Sequence, residues 1–239
     1  MNTQPIEKRV AHNGTTLQVH SVFNTIQGEG PFAGHPAVFI RLAGCNLQCP
    51  ACDTDYSSEL WKSTPLALLG MVREMRNSPS LVVITGGEPF RQDLYPLVLT
   101  LTNAGYTVQV ETNGSLPPPS PKFAKLCSKN LNDRKRCFIV CSPKTGNINS
   151  QIAPLVCAFK YVMGHDSVAE DGLPILALGH SAHPYVSRPG KGFSGAVYLQ
   201  PRDDNDEASN EKNLRACVNS VMANGYILQL QIHKIIGME

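Results

Sequence analysis

At 239 residues, 42% of them apolar and 17% charged, the chain has the make-up of an ordinary globular protein long enough to bury a sizeable core. It contains no apolar run near the roughly 20 residues of a membrane span, and residues 1–20 lack the basic start, apolar stretch and small-residue cleavage site of a secretory signal, so the expected compartment is the cytoplasm. A net charge of +2 is too mild to imply a nucleic-acid partner, and eight cysteines under reducing conditions point to metal ligation or redox chemistry before disulfides.

In chain order, short β-branched runs at 37–42 (AVFIRL), 81–84 (LVVI), 106–110 (YTVQV), 137–140 (CFIV), 157–163 (CAFKYVM), 196–199 (AVYL) and 227–232 (ILQLQI) read as buried strands. Helices are expected over 65–76, 94–104 and 205–224, the last opening with acidic residues that suit a helix N-terminus. This alternation predicts an α/β fold with parallel strands and right-handed crossovers. In so short a chain it predicts a partial, TIM-like barrel, with function at the C-terminal strand ends. Residues 116–121 (LPPPSP) and 179–195 (GHSAHPYVSRPGKGFSG) read as loops. Strand-like segments continue beyond the first at the same spacing, so a single domain spanning 1–239 is expected.

Chemistry enters at residues 44–56 (GCNLQCPACDTDY), where Cys45, Cys49 and Cys52 stand as C-x3-C-x2-C directly after the 37–42 strand. Three thiolates can grip one metal centre. A structural zinc site needs a fourth ligand, which no later C-x2-C or H-x3-H pair supplies cleanly. A 4Fe-4S cluster held by three thiolates instead leaves one iron open to an external molecule. Spacing alone also permits a zinc knuckle or three structural cysteines. A second motif, TGGEP at 85–89, follows another apolar strand. Gly86 and Gly87 expose backbone carbonyls to a ligand ammonium, and Glu88 offers it a carboxylate, although a GG pair after a strand also suits a plain tight turn.

Together the two motifs resemble the radical S-adenosylmethionine (SAM) superfamily, in which the open iron chelates SAM and its cleavage yields a 5′-deoxyadenosyl radical. Further landmarks narrow the resemblance: FNTIQGEG at 23–30, PAVFIRLAG at 36–44, Asp53–Thr54–Asp55, ETNG at 111–114, SPK at 142–144, QPRD at 200–203 and LQIHKIIG at 230–237. In this order they are similar, over nearly the whole chain, to the 7-carboxy-7-deazaguanine synthase family. That family converts 6-carboxy-5,6,7,8-tetrahydropterin to 7-carboxy-7-deazaguanine with loss of ammonia, on the way to queuosine and other 7-deazapurines.

The resemblance implies the site, residue by residue. The pterin substrate would be held by Ile26, Gln27, Gly28, Glu29, Arg41, Thr85, His233 and Glu239. SAM would lie against Ala51, Cys52, Asp53, Gly87, Glu88, Ser142, Pro143, Lys144, Gln200, Pro201, Arg202 and Asp203. Cys45, Cys49 and Cys52 would carry the cluster, and Thr54 would bind Mg2+. Arginine suits a carboxylate because its fork donates two parallel hydrogen bonds, and Mg2+ keeps most of its waters, so one hydroxyl suffices. Glu29 and Glu111 are candidates for acid or base in the elimination. A reducing electron donor such as flavodoxin and a homodimer are implied as well. The other cysteines, Cys127, Cys137, Cys141, Cys157 and Cys217, have no second cluster spacing and read as core, while His180 and His183 read as exposed loop residues. The alternatives are a glycyl-radical activase, which shares the short three-cysteine domain but needs a groove for an extended peptide, and a zinc-binding interaction protein.

Overall fold

The computed structural model describes residues 2–11, 13–75, 79–131, 134, 136–179 and 186–238; Glu239, His180 and His183 lie outside the described residues. The strands are β1 (Leu17–Ile26), β2 (Pro36–Leu42), β3 (Trp61–Ser63), β4 (Leu81–Gly86), β5 (Thr107–Thr112), β6 (Cys127–Ser128), β7 (Cys137–Cys141), β8 (Val156–Met163), β9 (Ala196–Pro201) and β10 (Ile227–Leu228). The helices are α1 (Pro65–Glu74), α2 (Tyr95–Asn103), α3 (Pro121–Leu126), α4 (Glu207–Asn224) and α5 (Ile232–Ile235). Among the described residues the strands form one sheet in the order β10-β9-β8-β7-β5-β4-β2-β1-β3, with β6 beside β7.

From β2 to β10 every pairing is parallel, while β1 runs antiparallel to both β2 and β3. No pairing joins β3 to β10 among the described residues, so the sheet stays open as a partial α/β barrel. Its central strands are buried on both faces. β7 (CFIVC) has every residue buried, as a parallel strand covered on either side requires. On one face Val82, Ile84, Val108 and Val110 pack with Leu68, Leu69 and Val72 of α1 and Leu97, Val98 and Leu101 of α2. Each such side chain contributes roughly 1.5–3 kcal/mol of burial. Cys127, Cys137, Cys141, Cys157 and Cys217 are all buried, as expected of small apolar groups.

Local signals set the helix ends. Thr64 accepts from the Ala67 N–H with Pro65 at the first position of α1. Asp206 caps α4 by accepting from the Ser209 N–H, and Gly225 ends it at φ +73°. Ser120 and Pro121 do the same for α3, so the expected 116–121 loop runs into a helix start that proline-rich composition conceals. β1 was not among the expected strands because its sequence, LQVHSVFNTI, has few fully buried residues after Val19. The expected 227–232 strand pairs over Ile227–Leu228, with one more backbone bond from the Gln229 N–H to the Leu199 carbonyl at 2.8 Å, after which the chain turns into α5; the Gln229 side chain accepts from the Gly30 N–H at 2.7 Å.

The N-terminal segment is tied to the sheet through Arg91, a guanidinium only 2% exposed. It donates to the Ala43 carbonyl at 2.8 Å, to the Glu7 and Lys8 carbonyls at 3.1 Å each and to the Glu7 carboxylate at 2.6 Å. Replacing Arg91 by methionine fills the volume but strands these acceptors. The expected loss is about 3 kcal/mol of unfolding free energy, read from a urea titration of Arg91→Met against the parent chain.

Candidate active site

The parallel strands β2, β4, β5, β7, β8 and β9 point their C-terminal ends at one cleft of about 600 Å³. Its first wall is the cysteine loop that leaves β2. Gly44, at φ +75°, turns the chain there, and a Cβ at this position would collide with the Arg91 guanidinium. The loop closes on itself through the Gly44 N–H to Tyr56 carbonyl bond (2.9 Å) and the Cys52 N–H to Cys49 carbonyl bond (3.1 Å). It is pinned to β4 from below. The Gly87 N–H donates to the Leu42 carbonyl at 3.2 Å and the Glu88 N–H to the Gly44 carbonyl at 2.9 Å.

Cys45, Cys49 and Cys52 all line the cleft. Burial pushes the Cys45 thiol up to about 12, and the charges of Glu88, Cys49 and Cys52 add to it; Cys49 is raised to about 11 by burial and Cys52 in the same sense. Thiols held neutral by burial need a cationic centre to ionise. Among the described residues no His, Cys, Asp or Glu group converges tightly enough to hold a single metal ion. The three thiolates of a cluster bind three different irons and do not need to converge on one point, so the donor set fits a cluster better than a lone ion.

The second wall carries a polar network. Glu111, at the end of β5, accepts from Gln27 Nε2 (3.0 Å), Gln109 Nε2 (2.9 Å) and Thr85 Oγ1 (3.1 Å). Burial raises its carboxyl, and the Glu29 charge adds to the effect. Glu29 is paired with Lys160 of β8 and accepts from Gln231 Nε2 at 2.9 Å. Arg41 also faces the cleft, its guanidinium 5.6 Å from the Phe23 ring centre, with no hydrogen bond or ion pair among the described residues. That leaves its donor fork available to a ligand anion.

The third wall comes from the ends of β7 and β9. Lys144 donates to the Ser142 carbonyl at 3.0 Å, and burial lowers its ammonium. Arg202 is held by Asp204 (2.6 and 3.0 Å) and Asp166, and Asp203 accepts from the Asn205 N–H and from Asn210. From the C-terminal side Lys234 reaches Asp53 at 3.6 Å and Asp203 at 3.8 Å, bridging the first wall to the third. The His233 ring sits against Gly28, where any Cβ would overlap it.

The cleft thus gathers Gln27, Glu29, Arg41, Thr85, His233, Ala51, Cys52, Asp53, Thr54, Gly87, Ser142, Lys144, Gln200, Arg202 and Asp203 from the sequence-predicted set, besides Cys45 and Cys49. Ile26, Gly28, Pro143 and Pro201 stand behind its surface. Glu88 is placed differently from its expected position at a ligand ammonium. It is fully buried, with Oε1 accepting from the Thr112 hydroxyl and the Phe90 N–H and Oε2 from the Asn113 N–H. Its geometry stitches β4 to β5 beneath the cleft. Sequence reasoning missed Lys160, Gln231 and Gln109. For Lys160 the signal was present, a lone charge inside the apolar run CAFKYVM, as Arg41 is inside AVFIRL.

No family model matches the chain. Its sequence is 40% identical over 232 residues to the 7-carboxy-7-deazaguanine synthase of Rhodospirillum rubrum, covering 94% of this chain and 93% of that one. It is 36% identical to the synthase of Rickettsia prowazekii (98% and 94% covered) and 37% identical to that of Aquifex aeolicus (98% and 100% covered). In fold it matches the crystal structure of QueE from Escherichia coli with a TM-score of 0.64 at 24% identity, covering 90% of this chain and 94% of that one. Fold and relatives together define a radical SAM enzyme. More narrowly, the chain belongs to the 7-carboxy-7-deazaguanine synthase family, and the activase and zinc-protein alternatives give way.

Glu88→Gln should separate the structural role of this carboxylate from ligand binding. The amide keeps one acceptor and turns an NH2 toward a buried backbone N–H. A loss of about 2 kcal/mol in denaturant unfolding of the protein without ligand is expected.

Proposed function

We propose that the cleft binds 6-carboxy-5,6,7,8-tetrahydropterin beside a 4Fe-4S cluster, SAM and Mg2+, and that the chain converts it to 7-carboxy-7-deazaguanine with release of ammonia. The observation that carries this reading is the meeting, in one cleft, of the three-cysteine loop with an unpaired arginine and a carboxylate–amide network. When bound, the cluster and SAM supply a 5′-deoxyadenosyl radical that takes a hydrogen from the substrate.

The chain's own residues bind and orient. Cys45, Cys49 and Cys52 hold the cluster. The ends of β4, β7 and β9, through Gly87, Ser142, Lys144, Gln200 and Asp203, with Ala51 and Asp53 of the loop, receive SAM. Arg41 takes the pterin carboxylate through its free fork. Glu29, Gln27 and Thr85 present acceptors and donors to the fused-ring edge, and a carboxylate there matches the two N–H groups of an aminopyrimidinone. Thr54, whose hydroxyl donates to Asp53 at 3.2 Å, is one ligand to Mg2+. His233 and Glu239 are further pterin contacts carried over from the family resemblance. The apolar sheet beneath keeps water from the reacting centre.

A reducing protein such as flavodoxin supplies the electron, the product feeds queuosine and related 7-deazapurines, and the enzyme works as a cytoplasmic homodimer of one domain per chain. No helix among the described residues is long and apolar enough to cross a membrane.

The test is anaerobic reconstitution followed by incubation with SAM, Mg2+, a reductant and 6-carboxytetrahydropterin, with products followed by mass spectrometry. Formation of 7-carboxy-7-deazaguanine is expected. 5′-Deoxyadenosine without that product would overturn the substrate. Cys45→Ala, Cys49→Ala and Cys52→Ala should each abolish the brown cluster absorbance and turnover. Arg41→Lys keeps charge but loses the fork, so its KM for the pterin should rise about tenfold, and that of Arg41→Ala about a hundredfold.

A further inference from the structure

Lys160 has no role in the reading above, yet it is the cation nearest the centre of the polar wall. It stands in β8 at register with Tyr198 of β9, 131 residues from the carboxylate it meets. Its side chain is 13% exposed and that of Glu29 is 11% exposed, so the pair is largely withdrawn from water. Glu29 sits between β1 and the 3-10 turn that begins at Gly30, with its N–H donated to Gln27 Oε1 at 3.0 Å. Lys160 on one oxygen and Gln231 on the other fix its rotamer. A carboxylate offers about four lone-pair sites, so two acceptor positions remain, and Glu29 lines the cleft.

We propose that Lys160 is a positioning residue whose ammonium neutralises the Glu29 carboxylate and aims it into the cleft as the acceptor for the N–H edge of the substrate. This role rests on the pterin reading of the site.

The charged surroundings make the lysine necessary. Glu29 faces Lys160 from β8, His233 from α5, Glu111 from β5 and Lys144 from the loop after β7. Burial would raise the Glu29 carboxyl, and the Lys160 charge and hydrogen bond, with help from Gln231 and His233, hold it below its usual value instead. Lys160 in turn is kept charged against the cost of its own burial by Glu29 and Glu111, with a further contribution from Asp53. Burial lowers His233, so in the neutral range it does not substitute for the lysine. Without Lys160, two acidic groups share one dry wall, and Glu29 is expected to take up a proton and lose its acceptor character.

Two measurements test this. In the first, unfolding of the wild type, Lys160→Met, Lys160→Arg and the double variant Glu29→Gln/Lys160→Met is followed in denaturant from about pH 5 to about pH 9. In Lys160→Met the Glu29 carboxyl titrates above its unfolded value, so its share of stability is present at low pH and lost as pH rises. The unfolding constant should grow about tenfold for each unit climbed until the folded-state value is passed. The double variant should lose the Glu29 share of this slope, leaving only that of Glu111, and Lys160→Arg should match the wild type.

In the second measurement, steady-state kinetics of the reconstituted enzymes with 6-carboxytetrahydropterin should show KM raised at least about tenfold for Lys160→Met at neutral pH and falling as pH increases. kcat at saturation should stay within about threefold, and Lys160→Arg should restore KM. Wild-type turnover combined with an unchanged KM and a flat pH profile in Lys160→Met overturns the role of Lys160 alone. A KM loss that is independent of pH and not restored by arginine marks a merely structural lysine and also overturns it. A wild type that cleaves SAM yet never engages the pterin overturns the substrate reading and this role with it.

Discussion

The site depends on how closely the ends of β2 and β4 approach each other. At Gly86, φ +142°, a Cβ would overlap the Leu42 carbonyl oxygen, and at Gly87 it would overlap the carbonyl of Gly44. Only a residue without a side chain permits that contact. Once made, it fixes where the cysteine loop leaves the sheet, because the Gly87 and Glu88 amides hold the carbonyls of Leu42 and Gly44. Glu88 then carries the restraint to β5 through Thr112 and Asn113. Three adjacent strand ends are thereby locked at one depth, and the cleft opens above them.

On this rigid base the electrostatics are divided in space. Three thiols that burial keeps neutral lie on one wall, and a carboxylate–amide network compensated by Lys160 lies on another. Arg41 stands with a donor fork that no protein group among the described residues occupies. A partly exposed guanidinium facing a cleft is a ready partner for a ligand carboxylate, which its planar fork meets with two parallel hydrogen bonds. The arrangement therefore favours an occupant that brings an anionic carboxylate to Arg41 and N–H donors to Glu29, with a cationic centre at the sulfurs. A carboxylated pterin beside an iron–sulfur cluster satisfies all three demands at once.

Across the cleft mouth, Lys234 joins Asp53 of the cysteine loop to Asp203 after β9, and the His233 ring rests on Gly28. These contacts bring His233 and Lys234 over a site whose cysteine loop lies early in the chain. At 41% exposure the Lys234 side chain is screened by water, so each of its pairs contributes little to stability.

Local pattern was enough for much of this. The parallel strands β2, β4, β5, β7, β8 and β9 were legible as apolar β-branched runs, and the cysteine spacing and TGGEP motif located two strand ends, because each of these signals is complete within a few consecutive residues. β1 escaped since only part of it is buried, and the expected 227–232 strand came out shorter, as β10, since its apolar period breaks at Gln229 and Gln231. The sequence by itself determined the element order, the ligand-bearing loop and the family. Only the tertiary structure decided that Glu88 braces the sheet rather than facing the cleft, that Arg91 anchors the N-terminal segment, and that Lys160 meets Glu29. Each of those contacts joins residues far apart in the chain, and the energies that choose them, desolvation and charge pairing in a dry wall, arise only when the sheet has assembled.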